Sequence, residues 1–174
     1  MNLNFPTITT TRLTLRGPMA SDLDGFVDFF TSDRAKYAGG SSDTAKATRE
    51  FTEMVDHWAL HGFGSFIMVR KDTGTAIGHV GGLQPSGWPE KELGWSIWRD
   101  ADEGHGYASE AVIAARDHLF ADRGWTTAIS YIAPDNTRSL AFAERLGAYH
   151  DESAETPNGL RCFAYRHPNP GATE

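Results

Sequence analysis

The middle of the chain holds three consecutive strand-length segments, and no other feature constrains the fold as strongly. They span residues 65–70, 76–83 and 92–98, and apolar and polar residues alternate along the third. The turn residues Lys71-Asp72-Thr73-Gly74 between the first two segments predict a hairpin. Neighbouring strands at the centre of the sheet are therefore expected to be antiparallel, which disfavours a parallel dinucleotide-binding fold.

Helical and extended patterns alternate around these segments. Apolar residues recur at the helical period in segments that span about 21–30, 42–61, 107–121 and 136–146. Further strand patterns cover 12–16, 126–132, 148–153 and 161–166. The sequence therefore predicts an α/β (α+β) domain, with a mixed, mostly antiparallel central sheet of about seven strands flanked by about four helices on its two faces.

Length and composition bound the domain count and the class of partner. The 174 residues predict one domain over 1–166 and a disordered tail over 167–174. Lys and Arg number 16 and Asp and Glu number 23, and this net charge of −7 argues against duplex DNA as a partner.

No apolar run approaches the roughly 20 residues of a membrane span, and no signal peptide is visible. Cys162 is the only cysteine, so a reducing, cytoplasmic compartment is expected. His57 and His61 lack a third ligand, so no metal site is predicted.

The loop over residues 100–106 carries the clearest chemical signal, because it links a strand to an amphipathic helix. Gly104 and Gly106 precede the helix, so no Cβ shields its first backbone amides from a ligand. The helix dipole adds about half a positive charge at that end, and together these features predict a phosphate cradle. A plain turn is the alternative, since Asp100 and Glu103 lie beside the glycines and would repel a phosphate.

Motifs along the chain resemble those of GNAT-superfamily N-acetyltransferases, and most closely the RimJ/RimL-like branch, which acetylates N-terminal amines of ribosomal proteins. The acetyl-CoA motif resembles Glu92-Leu93-Gly94-Trp95-Ser96-Ile97, followed after a short loop by Gly104-His105-Gly106-Tyr107-Ala108-Ser109-Glu110-Ala111. The second motif resembles Asn136-Thr137-Arg138-Ser139 with Glu144-Arg145-Leu146-Gly147-Ala148. Proteins of that branch begin with a strand whose sequence is similar to Thr11-Arg12-Leu13-Thr14-Leu15-Arg16. The resemblance therefore covers about residues 9–166.

The resemblance implies that acetyl-CoA is the co-substrate and that its acetyl group moves directly to a primary amine in a ternary complex. The acceptor would be a protein N-terminus or a small-molecule amine, and a homodimer is compatible with the sequence. A non-catalytic acyl-CoA-binding module of the same fold is the alternative. The family implies three sets of cofactor contacts. Backbone groups of one strand would bind the pantetheine arm, at Trp95, Ser96 and Ile97, and the side chain of Asn136 would reach the same arm. Backbone amides of the glycine loop and the helix start would hold the pyrophosphate, at Gly104, His105, Gly106, Tyr107, Ala108 and Ser109.

Two positions depart from the family pattern. Glu103 stands where many members have Arg or Gln, which would weaken cofactor affinity, and Ala143 stands where many have a proton-donating tyrosine. Ser139 lies one helical turn after Asn136, and it is expected to donate a proton to the leaving thiolate instead. The alternative for Ser139 is a hydroxyl that bonds its own helix backbone.

Glu92, at the start of the third central strand, is expected to act through a water molecule as the base, or to orient the amine. An exposed strand-end carboxylate is the alternative for Glu92, and Glu90 is the second candidate base. Trp88 on the preceding Pro/Gly loop and Tyr37 between the first two helices are expected to line the acceptor side. For Trp88 the alternative is an anchor at the edge of the core.

Overall fold

An eight-stranded mixed sheet organises residues 5–39 and 43–171, which are the residues that this computed structural model describes. The strands are β1 (Ile8–Thr9), β2 (Leu13–Arg16), β3 (Ser65–Arg70), β4 (Ala76–Leu83), β5 (Glu92–Ile97), β6 (Ile129–Ile132), β7 (Tyr149–His150) and β8 (Phe163–Arg166). Their order across the sheet is β1-β2-β3-β4-β5-β6-β8-β7, and among these described strands only β5 and β6 are parallel neighbours. The mostly antiparallel sheet is confirmed. The predicted count of seven misses β1, because two residues are too few to show an alternating pattern.

Four α-helices in the described residues cover both faces of the sheet, as predicted. They are α1 (Leu23–Phe30), α2 (Thr44–His61), α3 (Tyr107–Ala121) and α4 (Thr137–Arg145). Helices α1 and α2 pack one face around Phe26, Phe51 and Ile67, whereas α3 packs the other face with Val112 and Leu119. In the described part of the chain, no helix is both long and apolar enough to cross a membrane.

Local signals set the helix boundaries. Helix α2 begins after Asp43, whose side chain accepts a hydrogen bond from the backbone N–H of Lys46 at 2.7 Å, and it ends before Gly62, which has a φ of 71°. The predicted start of this helix, residue 42, lies outside the described residues. Helix α3 has the predicted bounds, because Gly106 marks its start.

The C-terminal residues contribute more to the core than the sequence predicts. Strands β6 and β7 are shorter than the predicted segments 126–132 and 148–153. His167, the first residue of the predicted tail, is 3% exposed, and its backbone N–H donates to the carbonyl of Ala128 at 2.9 Å. The packed part of the chain therefore includes His167.

Strands β5 and β6 pair only where they begin, and this places the site. Their single register pair is Glu92 with Ile129, although β5 continues to Ile97 and β6 to Ile132. The two strands therefore separate toward their C-terminal ends and leave a gap in the sheet. The loops that lead to α3 and α4 follow those ends, so both loops border the open end of the gap.

Candidate functional site

The gap exposes one edge of β5. The N–H of Trp98 donates to the carbonyl of Ile77, on the β4 side, at 2.9 Å. Because backbone direction alternates along a strand, Ser96 also directs its backbone groups toward β4, whereas Trp95 and Ile97 direct theirs into the gap. An extended chain of amides can pair with such an edge as an added strand does. Of the three strand residues predicted to bind the cofactor through their backbone, Ser96 is therefore the one that cannot.

The loop before α3 contains two glycines in the left-handed region. Gly104 has a φ of 76°, and Gly106, the N-cap of α3, has a φ of 79°. A Cβ added at Gly104 would meet no atom of residues 5–39 or 43–171 within 4 Å, so the space beside it is open in this part of the chain. No side chain of the described residues caps the helix start, so the N–H groups of Tyr107, Ala108 and Ser109 are available to bind a ligand. This arrangement suits a pyrophosphate.

Arg12 orients this loop from the side of β2. Its Nη1 donates to the carbonyl of His105 at 2.7 Å, and its guanidinium carbon lies 4.7 Å from the centre of the Tyr107 ring. The Glu110 carboxylate accepts from Arg12 Nε at 2.7 Å and from Arg12 N at 2.6 Å. The C=O and the N–H of one trans peptide point in opposite directions. With the His105 carbonyl turned toward Arg12, the Gly106 N–H therefore points to the other side of the loop.

Glu103, the first departure from the family pattern, contacts two arginines. Arg34 Nη2 donates to its Oε1 at 2.6 Å, and Arg138 Nη1 lies 2.8 Å from its Oε2. Although partial burial raises the pKa of Glu103, the hydrogen bonds from Arg34 and Arg138 hold that pKa below its usual value. The negative charge beside the glycines is therefore paired with two cations, and the Arg138 contact joins the two loops that border the gap.

Arg34 binds the backbone carbonyls at the C-terminal end of β5, a role that no pattern in the sequence predicted. Its Nη2 donates to the carbonyl of Ile97 at 3.0 Å, its Nε to the carbonyl of Trp98 at 3.0 Å, and its Nη1 to Asp100. The gap-facing carbonyl of Ile97 is thus occupied, which leaves its N–H and the backbone of Trp95. No motif marks Arg34, because its partners lie 63 to 69 positions later in the chain.

Glu92 is buried at the closed end of the gap. It is 8% exposed, and its Oε1 accepts the backbone N–H of Tyr131 at 3.1 Å. Burial raises the pKa of Glu92 to about 8, and the hydrogen bond from Tyr131 opposes this only in part. A general base works best when its pKa lies close to the operating pH. The alternative of an exposed carboxylate is therefore wrong. Glu90, the second candidate base, pairs with Arg166 at 2.8 Å, which lowers its pKa.

The predicted residues of the second motif lie at the start of α4. Asn136 is the N-cap, and its Oδ1 accepts the backbone N–H of Ser139 at 3.3 Å, which leaves its amide nitrogen available to donate to a ligand. The Ser139 hydroxyl makes no hydrogen bond to the described part of the chain, so it does not bond its own helix. Ala143, where many relatives have tyrosine, is 0% exposed and belongs to the core.

Tyr37 and Trp88 lie at two separate borders of the site. Tyr37 is 42% exposed, and its hydroxyl donates to the carbonyl of Asp135, in the loop before α4, at 3.2 Å. The Trp88 ring packs edge-on against Tyr131, with the ring centres 5.2 Å apart. Because Tyr131 also contacts Glu92, Trp88 lies near the candidate base, whereas Tyr37 lies near Asn136.

The described residues contain no group of three or more His, Cys, Asp and Glu side chains that could hold a metal ion. His57, one of the two histidines on α2, uses both ring nitrogens within the fold. Its Nδ1 donates to the carbonyl of Phe63 at 2.9 Å, and its Nε2 accepts the backbone N–H of Gln84 at 3.0 Å. His57 therefore supports the chain reversal after α2.

Among the described groups that bear on stability between pH 4 and 8, three have strongly shifted pKa values. Burial lowers the pKa of His79 to about 4, and burial with the nearby charge of Arg116 lowers that of His167 to about 4, both from 6.5. Glu92 moves the other way, from 4.5 to about 8. The histidines stabilise the fold above pH 6.5 and lose this contribution as the pH falls toward 4. Glu92 stabilises it below pH 4.5 and loses this contribution as the pH rises through 8.

We therefore expect the free energy of unfolding to be greatest near pH 6.5. Above that pH the shift of Glu92 dominates, and stability falls toward pH 8 with a slope of up to about 1.4 kcal/mol per pH unit. Urea unfolding at several pH values measures this, and Glu92→Gln should remove the decline on the alkaline side. A wild-type stability that stays level or rises from pH 6.5 to 8 would contradict the raised pKa of Glu92.

Known proteins match this chain over most of its length. Residues 12–149 match the family model described as an acetyltransferase (GNAT) domain. A solved acetyltransferase from Agrobacterium tumefaciens is 36% identical, with 94% of each chain covered and a TM-score of 0.88. A ribosomal-protein-alanine acetyltransferase from Vibrio fischeri is 16% identical over 97% of this chain and 100% of that chain, with a TM-score of 0.71. An aminoglycoside acetyltransferase solved with coenzyme A is 19% identical over 91% of this chain and 95% of that chain, with a TM-score of 0.74. The last two show a shared fold.

Proposed function

This chain belongs to the GNAT acetyltransferase family, and we propose that it transfers the acetyl group of acetyl-CoA directly to a primary amine, with both substrates bound together. It is an acyl-CoA-dependent acetyltransferase and not a non-catalytic binding module. The observation that carries the proposal is the gap between β5 and β6, whose open end lies beside the glycine loop. A cytoplasmic location is part of the proposal, since the free thiol of Cys162 suits a reducing compartment.

In the proposed complex the pantetheine arm lies in the gap and pairs with the backbone of Trp95 and Ile97. The free amides of the glycine loop and of the first turn of α3 hold the pyrophosphate. The amide nitrogen of Asn136 reaches the arm from the start of α4. The N–H of Ile97 donates to the oxyanion that forms on the thioester carbonyl, because it faces the gap while the N–H of Ser96 faces β4.

The proposed reaction needs one proton acceptor and one proton donor. The neutral amine nitrogen attacks the thioester carbonyl carbon, and the carbon–sulfur bond then breaks. The proton lost by the amine passes through a water molecule to the Glu92 carboxylate. The departing thiolate takes a proton from the Ser139 hydroxyl, which regains one from solvent. The support for Ser139 is that its hydroxyl has no other partner in the described residues.

The proposed acceptor is an α-amine, either of a protein N-terminus or of a small molecule, bound between the borders marked by Trp88 and Tyr37. An α-amino group has an unperturbed pKa of about 7.7–8.0, whereas that of a lysine side chain is about 10.4. The pKa of Glu92, about 8, matches the first value. Near pH 8 about half of an α-amine is neutral while about half of Glu92 is ionised, so the nucleophile and the base coexist, whereas a lysine-type amine would remain almost entirely charged.

A panel of acceptors tests the proposal. Release of the CoA thiol is followed with peptides that have a free N-terminus, with the same peptides blocked at the N-terminus but carrying lysine, and with small-molecule amines. Release that depends on a free α-amine, with acetyl found on that amine, supports the proposal. Faster release with the blocked lysine peptides would overturn the α-amine assignment. Binding of acetyl-CoA without release on any acceptor would overturn the proposed transfer.

The loop contact of Arg12 makes a separate kinetic prediction. Arg12→Gln is expected to raise the KM for acetyl-CoA about tenfold, because a charged hydrogen bond that orients the loop contributes roughly 1.5 kcal/mol. The kcat should change by less than about twofold, because Arg12 does not touch the reacting atoms. Arg123→Gln is the matched control, since Arg123 is an exposed arginine just beyond the other end of α3. An equal change in KM in both variants would exclude a role for Arg12 in orienting the loop.

A further inference from the structure

The ladder between β5 and β6 stops where two side chains replace its next hydrogen bond. At the last paired position, the N–H of Ile129 donates to the carbonyl of Lys91 at 3.3 Å. In a regular parallel ladder, the N–H of Tyr131 would next donate to the carbonyl of Leu93. Neither group makes that bond here. The N–H of Tyr131 donates to Glu92 Oε1 at 3.1 Å, and the carbonyl of Leu93 accepts from Ser130 Oγ at 2.5 Å.

His167 determines which way the Ser130 hydroxyl points. The carbonyl of Leu93 can only accept, so the single hydroxyl proton of Ser130 is committed to it. The 2.8 Å contact between Ser130 Oγ and His167 Nε2 must then have the histidine as donor. Ser130 is 2% exposed and His167 is 3% exposed, so water does not compete for these bonds. The tautomer of His167 is thereby set, with its proton on Nε2.

These side chains remove the usual penalty for opening a sheet. Separating two paired strands leaves buried N–H and C=O groups without partners, which costs free energy. Here the N–H of Tyr131 has Glu92 and the carbonyl of Leu93 has Ser130, so the strands can separate with both groups satisfied. Glu92 and Trp95 are three residues apart on β5, so their side chains lie on opposite faces of the sheet. The Trp95 ring lies 6.2 Å from that of His167, which places the His167 contact on the face away from Glu92.

We propose that Ser130, oriented by His167, acts with Glu92 to end the β5–β6 ladder and so holds the gap open for the pantetheine arm. Ser130 and His167 are positioning residues, because they act through the backbone of Leu93 and touch no reacting atom. The inference rests on the proposed function in one respect, namely that the gap is where acetyl-CoA binds. The interruption of the ladder itself is independent of any ligand.

Amide hydrogen exchange tests the interruption without activity or cofactor. In the wild-type protein the N–H of Trp95 faces the gap and should exchange fast. In Ser130→Ala the carbonyl of Leu93 loses its donor and is expected to accept the N–H of Tyr131. The next rung would then join the N–H of Trp95 to the carbonyl of Tyr131, so exchange at Trp95 should slow at least about tenfold. Unchanged exchange at Trp95 would overturn the inference.

Kinetics of the same variants test the consequence for binding. Ser130→Ala is expected to raise the KM for acetyl-CoA about tenfold and to leave the KM for the amine within about twofold. Ser130→Thr keeps the hydroxyl and should restore the KM for acetyl-CoA. Ser65→Ala is the matched control, since Ser65 is also a strand serine that is 2% exposed, but on β3. Equal effects at positions 130 and 65, or no rescue by threonine, would overturn the inference.

A second variant covers the case in which Ser130→Ala does not fold. His167→Phe keeps a buried ring but removes the donor to Ser130, and it should slow exchange at Trp95 and raise the same KM. If exchange at Trp95 responds as expected in the variants but the wild-type protein does not bind acetyl-CoA, the proposed function has failed and the interruption of the ladder stands. If the wild-type protein binds acetyl-CoA but exchange at Trp95 is unchanged in both variants, the proposed interruption of the ladder has failed and the proposed function stands.

Discussion

Glu92→Gln is expected to lower kcat by at least about 100-fold, which is the lower range for loss of a general base. The affinity for acetyl-CoA should stay within about twofold of the wild-type value, because the Gln Oε1 can still accept the N–H of Tyr131. The variant should therefore lose kcat without losing affinity for acetyl-CoA. Only the Glu92 carboxylate can take up the proton, whereas either Glu or Gln at this position can accept the N–H of Tyr131 and end the ladder.

The pH dependence of the rate identifies the group that is lost. With both substrates saturating, the wild-type kcat should rise with pH around a midpoint near 8, because Glu92 must be ionised to accept the proton and titration of the free amine does not enter kcat. The variant should lack this midpoint. Glu90→Gln is the matched control, since the Glu90 carboxylate is held by Arg166 at 2.8 Å, and its rate should stay within a few-fold of wild type. A rate for Glu92→Gln that is also within a few-fold of wild type would remove Glu92 as the base.

Gly104→Asp is expected to weaken acetyl-CoA binding about 100-fold compared with Gly104→Asn. Gly104 has a φ of 76°, a region that Asn and Asp enter more readily than other non-glycine residues. An added Cβ would meet no atom of the described chain within 4 Å. Both variants should therefore fold with similar backbone strain. They differ in one negative charge, which at about 5 Å from two phosphate charges costs about 3 kcal/mol at an effective dielectric constant of about 40.

Calorimetric titration with CoA measures both affinities, and the asparagine variant is the control for shape and strain. The salt dependence gives a second readout, because the difference between the variants should shrink as ionic strength rises. Equal affinities in the two variants would mean that the loop does not hold the pyrophosphate. The glycines would then serve only as the turn into α3.

Local patterns predicted the elements that local forces determine. Helix α3 has the predicted bounds because two glycines and a helical apolar period mark its start and its length. Strands β3 and β4 also have the predicted bounds, since a turn signal separates two strand-length segments rich in apolar residues. Strand β1 was missed because its two residues are specified by pairing with β2 rather than by their own pattern.

The candidate site depended more on contacts that no local pattern encodes. The glycine loop and Asn136 were found through a resemblance in motif, but the direction of each amide on β5 follows from register with β4. The sequence therefore could not show that Ser96 faces away from the gap. Glu92 was proposed as a base without knowledge of its burial, and it is burial that raises its pKa. Arg34 and His167 lay outside every motif.

A crystal structure of the protein with acetyl-CoA tests the central claim most directly. We expect the pantetheine arm between β5 and β6, with its amides bonded to the backbone of Trp95 and Ile97. The pyrophosphate should lie on the amides around Gly104 and Gly106, and the thioester carbonyl should lie near the N–H of Ile97. Acetyl-CoA bound elsewhere on the chain, or strands β5 and β6 closed into a continuous ladder beside it, would contradict this account.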